Sequence, residues 1–334
     1  MKGFKTMLFR EKIQEELLKI ATFWIPNKEL RHKIRDNAMT RFISSPLPDY
    51  YGNRKIYQGE EESDIIYKKL CENKPILICR YGSNELFTMR NYFLDKGLYF
   101  SKSLKKAMCD CAGFYPATNK NMIKFAKMQH ELRNEIDILG IQNRLFEKEY
   151  CLKYLPKNTI FAQLDELCGI CHKNSWTTYL KGKKVLVIHP FVESIKKQYE
   201  EKRELLFKNS DFLPEFELIT YKAIQSIGDE KQDLPYKDWF EALEKMKKDI
   251  AKIDFDIALI GAGAYGIFLA HHCKMLGKQA VHLGGTTQLL FGITGGRWDS
   301  QPQMLKYANL ENWIRPNKNE QPKGFKQVEG GCYW

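Results

Sequence analysis

The sequence predicts an α/β fold: a doubly wound, mostly parallel, Rossmann-like sheet, preceded by an N-terminal helical extension. Three observations carry this. From residue 183 onward, short apolar runs alternate with amphipathic helical segments. The runs are continuous rather than alternating, as expected of strands buried on both faces. Several end in a turn built from glycine or His-Pro that leads straight into a helix.

The chain begins with "FKTMLFREKIQEELLKIATFW" (4–24), whose apolar residues Phe4, Leu8, Ile13, Leu17, Leu18 and Phe23 recur at helical spacing. Pro26 ends it, and the basic turn "NKELRHKIRDN" follows. A basic amphipathic segment of this kind suits either an anionic membrane surface or packing on the body of the protein. Residues 45–62, "SPLPDYYGNRKIYQGEEE", are rich in Pro, Gly and charge and read as a lead-in. The division expected is 1–62 for the amphipathic helical segment and lead-in, and 63–334 for the α/β domain.

"PILICR" (75–80) is a short buried strand that opens through "YGSNEL" into the helix "ELFTMRNYFLDKG". Residues 103–150 read as helical, broken at "GFYP", and "NTIFAQL" (158–164) as a strand. Then come the strand "KKVLVIHP" (183–190), a charged helix, the strand "FELITYKA" (216–223), and the amphipathic helix "YKDWFEALEKMKKDIAKI" (236–253). "FDIALIGAG" (255–263) and "KQAVHLGG" (278–285) supply the last two strands.

Composition narrows the function. The 334 residues are 43% hydrophobic and 13% aromatic, which excludes a disordered chain and allows a sizeable core. The net charge of +12 suits anionic ligands or surfaces, but no Arg/Lys run with interleaved aromatics marks a nucleic-acid groove. No apolar stretch reaches the roughly 20 residues that span a bilayer, and the charged first 25 residues make no secretory signal. A cytoplasmic protein is expected. The nine cysteines, odd in number and scattered, read as reduced thiols. Cys109 and Cys111 form a CxC, and Cys168 and Cys171 a CxxC followed by His172. The two pairs lie far apart and lack the paired spacing of a structural zinc site, so buried free thiols are expected.

In a doubly wound sheet, ligands bind at the carboxyl ends of the strands. The turns found there supply the candidate site. "GAGAYG" places Gly261, Gly263, Tyr265 and Gly266 between a strand and a helix, where bare backbone and a helix N-terminus favour a phosphate. Gly284 and Gly285 repeat the device, with His282 before them and Gln288 after. "RYGSNE" offers Arg80 for bidentate phosphate pairing, Gly82 for a tight turn, Ser83 and Asn84 as cap residues, and Glu85 as base, metal ligand or cap. His189 and Glu193 repeat that arrangement at the next strand end, with Tyr199 and Arg203 of second rank. A nicotinamide enzyme would also need an acidic residue ending the second strand, and "AVHL" stands there instead.

These pieces together resemble the bacterial glycosyltransferases of the GT-D fold, which serve surface-polysaccharide and glycoprotein-glycan pathways. The resemblance is carried by "RYGSNEL", "VLVIHPFVESIKKQYEEKRELLF", "DIALIGAGAYGIFLAHHCKMLGKQAVHLGGTTQLLFGITGGRWD" and "VEGGCYW", which span most of residues 75–334. The N-terminal "FWIPNKELRHKIR" is similar to leader segments of lipopolysaccharide and capsule glycosyltransferases.

The resemblance implies a nucleotide-sugar donor, typically a UDP-sugar, and a lipid-linked or surface-glycan acceptor. It also implies a divalent cation, Mn²⁺ or Mg²⁺, at a turn that in the family reads Arg-Phe-Gly-Asp-Gly-Glu. Arg80, Tyr81, Gly82 and Glu85 match that turn, but Ser83 stands at the Asp position and Asn84 at the Gly position. Half the acidic pair is gone, which leaves Glu85 as the metal ligand or the base, with Asp165, Glu193 or Asp229 as other carboxylates that could complete a site.

On this reading Glu85, His189 and Glu193 are catalytic. Arg80, Gly82, Ser83, Asn84, Gly261, Gly263, Tyr265, Gly266, His282, Gly284, Gly285 and Gln288 hold the donor. Arg297, Trp298 and Asp299 either close the site or anchor the tail. The basic N-terminus would hold the enzyme peripherally at the inner face of the bacterial inner membrane. The alternatives are a nicotinamide-dependent oxidoreductase and a non-catalytic scaffold of a polysaccharide assembly complex.

Overall fold

In the computed structural model, residues 47–97, 99–144, 146–227, 233–299 and 301–334 are described. The expected N-terminal helix and its membrane contact fall on residues 1–46 and lie outside the described residues. Among the described residues, nine strands form one sheet in the order β1-β2-β5-β4-β3-β9-β8-β6-β7. They are β1 (Tyr50–Tyr51), β2 (Arg54–Tyr57), β3 (Ile76–Arg80), β4 (Ile138–Ile141), β5 (Ile160–Gln163), β6 (Lys184–His189), β7 (Glu217–Lys222), β8 (Ile257–Ile260) and β9 (Gln279–His282). Among the described strand pairs of this sheet, only β1–β2 is antiparallel.

The helices longer than a few residues are α1 (Gly59–Cys71), α2 (Ser83–Asp95), α3 (Lys102–Asp110), α4 (Asn119–Glu131), α5 (Glu147–Tyr154), α6 (Val192–Lys202), α7 (Trp239–Ile250) and α8 (Gly266–Met275). Among the described residues, no helix is long and apolar enough to cross a membrane.

The strands are apolar throughout because both faces are covered. Successive residues of a strand point to opposite faces. Leu77, Cys79, Leu186, Ile188, Ala258 and Ile260 join one core with residues of α4, α7 and α8. Ile76, Ile78, Val185, Val187, Ile257 and Leu259 join a second core with residues of α1 and α6.

Two expectations are corrected. The stretch 103–150, read as helical, contains the strand β4 between α4 and α5. Its "ILGI" is too short to show a period, and it is fully buried. Residues 47–62, read as a lead-in, belong to the α/β body: β2 pairs with β5, and α1 starts at Gly59.

The topology creates a crevice. After β8 the chain crosses to its neighbour β9, and after β6 it crosses in the opposite direction to β7. Since β6 and β8 are adjacent, their carboxyl ends form a topological switch point, where doubly wound sheets bind ligands.

Candidate functional site

A cavity of about 200 Å³ opens at this point, at the carboxyl ends of β3, β6, β7, β8 and β9. Its polar lining includes Arg80 at the end of β3, Glu85 in the helix after it, His189 on β6, and His282 and Gln288 around β9. Gly82, Ser83, Asn84, Gly261, Gly263, Tyr265, Gly284 and Gly285 also line it. Most of the residues expected at the site are therefore brought together.

Arg80 ends β3 with its guanidinium at the cavity. Its Nε is buried without a hydrogen-bond partner, and among the described residues it forms no ion pair within 4.0 Å. Gly284 makes room for it: its φ is +63°, and a Cβ there would lie 3.0 Å from Arg80 Nη1. Behind Arg80, Glu147 is fully buried and accepts from the N–H groups of Gln142 and Arg144 at 3.1 and 3.2 Å. Burial pushes the Glu147 carboxyl up to about 7, against those hydrogen bonds and the positive charge of Arg80.

Glu85 lies in the first turn of α2. Its carboxylate folds back over the preceding turn, where a Cβ on Gly82 would lie 1.9 Å from Oε2. Gly82 is thus needed to let Glu85 adopt this pose. Burial raises the Glu85 carboxyl above its ordinary range, opposed by its own backbone N–H and by Arg80. Ser83 does not turn to Glu85. Its hydroxyl donates to Gln142 Oε1 at 3.0 Å, and Gln142 Nε2 donates to the Tyr81 carbonyl at 2.8 Å.

The two histidines are buried and neutral. His189 Nδ1 accepts from the Phe191 N–H at 3.0 Å, so Nε2 carries the hydrogen. Burial lowers His189 to about 3. A ring with its acceptor nitrogen already engaged serves as a hydrogen-bond donor rather than a base. His282 Nδ1 lies 3.3 Å from the Ile260 carbonyl and donates to it, which leaves Nε2 as an acceptor. Burial, then the nearby Arg80 charge, lowers His282 to about 3 as well.

The glycine-rich turn is less bare than its sequence suggests. The N–H groups of Gly261, Ala264 and Tyr265 donate to Ile188, Ala112 and Ala262 carbonyls, and Gly266 donates to Gly263. Gly261 exists for packing: a Cβ would fall 2.5 Å from the Gly284 carbonyl oxygen and 2.6 Å from His189 Cδ2. Gly266 does not line the cavity. The His282 ring fills its place, with Cε1 2.1 Å from where a Cβ would sit. The fingerprint read as a phosphate cradle is thus partly a device for seating histidines.

The chain's last residues form a wall that the sequence did not announce as such. Val328, Glu329, Tyr333 and Trp334 line the cavity with Phe191. A Cβ on Gly285 would lie 2.3 Å from Tyr333 Cε1. Gln288 Nε2 donates to the Tyr333 carbonyl at 3.2 Å, and the Arg297 N–H to the Cys332 carbonyl at 2.9 Å. The Arg297 guanidinium pairs with Glu329 at 2.6 Å and covers the Tyr333 ring at 4.5 Å. Asp299 pairs with Arg315, which also donates to the Trp334 carbonyl, and Trp298 is buried. Of the two expectations for 297–299, tail anchoring fits all three, and Arg297 also lines the cavity.

Several candidates fall away. Glu193 is exposed and does not line the cavity. The N-terminus of α6 is capped instead by Glu320, which accepts from the Glu193 N–H at 2.8 Å and from the Ser194 hydroxyl. Tyr199 donates to the Phe216 carbonyl at 2.8 Å and is a packing residue. Arg203 pairs with Glu204 and reaches the Leu213 carbonyl. Asp165 is exposed beyond β5, away from the cavity. Asp229 lies outside the described residues.

The donor set also tests the expected cation. Among the described residues, the carboxylates lining the cavity are Glu85 and Glu329, and Glu329 is committed to Arg297. A hard dication takes several oxygen ligands. A single uncommitted carboxylate beside a serine already bonded to Gln142 does not fit Mn²⁺ or Mg²⁺ held by the protein alone.

No family model, no curated protein and no solved structure matches the chain.

Proposed function

We propose that the chain is a glycosyltransferase of the GT-D type, transferring a sugar from a nucleotide sugar, a UDP-sugar, to a lipid-linked or surface-glycan acceptor. The observation that carries this reading is Arg80. A guanidinium without an ion-pair partner among the described residues faces a cavity at the switch point of a parallel sheet, with a raised-pKa carboxylate beside it. Arginine's planar fork suits a diphosphate, and an unpaired buried N–H gains most from an anion.

The chemistry follows from the residues. Arg80 and the Nε2–H of His189 stabilise negative charge on the leaving diphosphate, replacing the cation the acidic pair would have held. Glu85, raised by burial, takes the proton of the acceptor hydroxyl as that oxygen attacks the anomeric carbon. The glycosidic bond to the diphosphate breaks, and the nucleoside diphosphate leaves with the electron pair. Phe191, Tyr333 and Trp334 offer aromatic surface for the base or sugar and keep water out. The acceptor's lipid would meet the enzyme at a membrane to which residues 1–46 hold it. Deleting residues 1–30 then releases the protein from anionic liposomes, and unchanged binding contradicts this part of the reading.

A nicotinamide enzyme is disfavoured by the His282 ring that fills the space over Gly266. The test is UDP release from a panel of UDP-sugars by wild type and Glu85→Gln. General-base loss should cost about 10²–10⁴-fold in turnover, with the melting temperature unchanged. Full activity of Glu85→Gln removes Glu85 from the mechanism. No release from any donor, together with no UDP binding, leaves a scaffold.

A further inference from the structure

A second cluster of chemically able side chains lies beyond β5, on the loop 164–175 that packs against the start of α1. None of its residues lines the cavity around Arg80. A carboxylate oxygen of Glu166, the sulfur of Cys171 and a ring nitrogen of His172 all lie within 4.8 Å of one another. Cys171 Sγ is 3.9 Å from His172 Nε2. In a tetrahedral zinc site the bond lengths place S and N about 3.6 Å apart, so these two need to close by only a few tenths of an ångström.

The loop is held in place before any ion arrives. Glu166 Oε2 accepts from the Gly59 N–H at 2.6 Å, and Glu60 accepts from the N–H groups of Lys173 and Asn174 at 2.7 and 3.0 Å. Ser63 Oγ donates to the Asn174 carbonyl at 2.7 Å. Gly169, at φ +73°, packs where a Cβ would strike Ser175 Oγ at 2.4 Å. His172 is 5% exposed, so its ring is held within the loop.

A buried carboxyl with one unpartnered oxygen adjoins the cluster. Glu62, in the first turn of α1, is fully buried. Its Oε2 accepts from the Gln163 N–H at 2.9 Å, while Oε1 has no partner. Glu62 is close enough to Glu166 and Asp165 for their charges to raise it further above the carboxylate range that burial has already left behind. Alone, such a carboxyl stays protonated, and its unpartnered Oε1 would become a carboxylate oxygen only with a positive ion beside it.

We propose that Glu166, Cys171 and His172 form a binding site for a transition-metal dication of the zinc class, with Glu62 as the neighbouring buried carboxylate. The site is separate from the cavity and does not depend on the glycosyltransferase reading. Thiolate and imidazole donors select zinc over Mg²⁺ or Mn²⁺, which prefer oxygen alone. On binding, the Cys171 thiol gives its proton to solvent, and the fourth position is left to water. The ion would tie the loop beyond β5 to the start of α1, because Glu166 also holds Gly59.

The test uses untagged full-length protein stripped with a chelator and titrated with Co²⁺, then Zn²⁺. The expected result is one ion per chain, a thiolate-to-cobalt charge-transfer band, displacement by Zn²⁺, and a higher melting temperature with metal. Cys171→Ser should abolish the charge-transfer band and weaken metal binding by about 100-fold or more. Glu166→Gln keeps an acceptor for the Gly59 N–H and should also weaken binding, which covers the case in which Cys171→Ser fails to fold. Wild type without stoichiometric binding, a cobalt spectrum lacking the thiolate band, or binding unaffected by either variant overturns the proposal.

Discussion

Replacing Gly266 by alanine should damage the protein through His282, not through a ligand. The new methyl would lie 2.1 Å from His282 Cε1 and 2.5 Å from Nδ1, where carbon contacts belong near 3.5–4.0 Å. The ring has little room to retreat. It is 5% exposed, ends a strand between β3 and β8, and is tied to the Ile260 carbonyl. Overpacking of this kind costs about 1–3 kcal/mol. Helix propensity works the other way, favouring Ala over Gly by up to about 1 kcal/mol. The clash outweighs that preference, so Gly266→Ala should be destabilising. Denaturant unfolding of Gly266→Ala, His282→Ala and the double variant separates the causes. Removing the imidazole relieves the overlap, so the double variant should be more stable than the sum of the singles implies, by about 1 kcal/mol or more. A neutral or stabilising Gly266→Ala, or additivity within about 0.5 kcal/mol, would refute the packing role.

Other expectations follow from the same geometry. Glu147 has a folded-state pKa of about 7, above its ordinary 4.5. Its contribution to stability is therefore fully present below about pH 4.5 and is lost as pH rises through about 7. Relative to Glu147→Gln, wild type should lose on the order of 3 kcal/mol across that window, and a flat difference in denaturation midpoint between pH 4.5 and 8 contradicts it. Glu320→Ala removes the acceptor for the first N–H groups of α6 and should lower stability by about 1–2 kcal/mol, read as a drop in melting temperature. No drop would mean that water caps the helix equally well. Gly285→Ala places a methyl 2.3 Å from the Tyr333 ring and should push the C-terminal wall outward. Faster proteolysis near residue 333 is the expected readout, and unchanged protection argues against this wall.

Much of the fold was legible because buried parallel strands leave plain apolar runs. "KKVLVIHP", "FELITYKA" and "PILICR" became β6, β7 and β3. The strand β4 was hidden because four residues among helical neighbours carry no period of their own. β2 was hidden by the polar composition of an edge region, where "RKIY" buries one residue of four.

At the site, sequence order found the strand-end turns, since topology alone brings β3, β6, β8 and β9 to one crevice. It could not find what fills a glycine's space. His282 over Gly266 and Tyr333 against Gly285 are contacts between distant segments. Glu193 misled because position in a first helical turn does not fix direction. Its side chain faces solvent while Glu320, from far along the chain, takes the cap. The cysteines are free thiols, as expected, and the clustering of Cys171 and His172 with Glu166 was not legible because a carboxylate lies outside any Cys/His spacing pattern.

The central claim is that Arg80 receives the diphosphate of a nucleotide in the crevice between β3 and the switch point. Isothermal titration of UDP into wild type and Arg80→Ala, with and without Mn²⁺, tests it most directly. Wild type should bind in both conditions. Loss of charged hydrogen bonds worth about 1.5–3 kcal/mol should weaken Arg80→Ala by roughly tenfold to more than a hundredfold. Equal affinity in the two proteins, or no heat of binding from folded wild type, would contradict the claim.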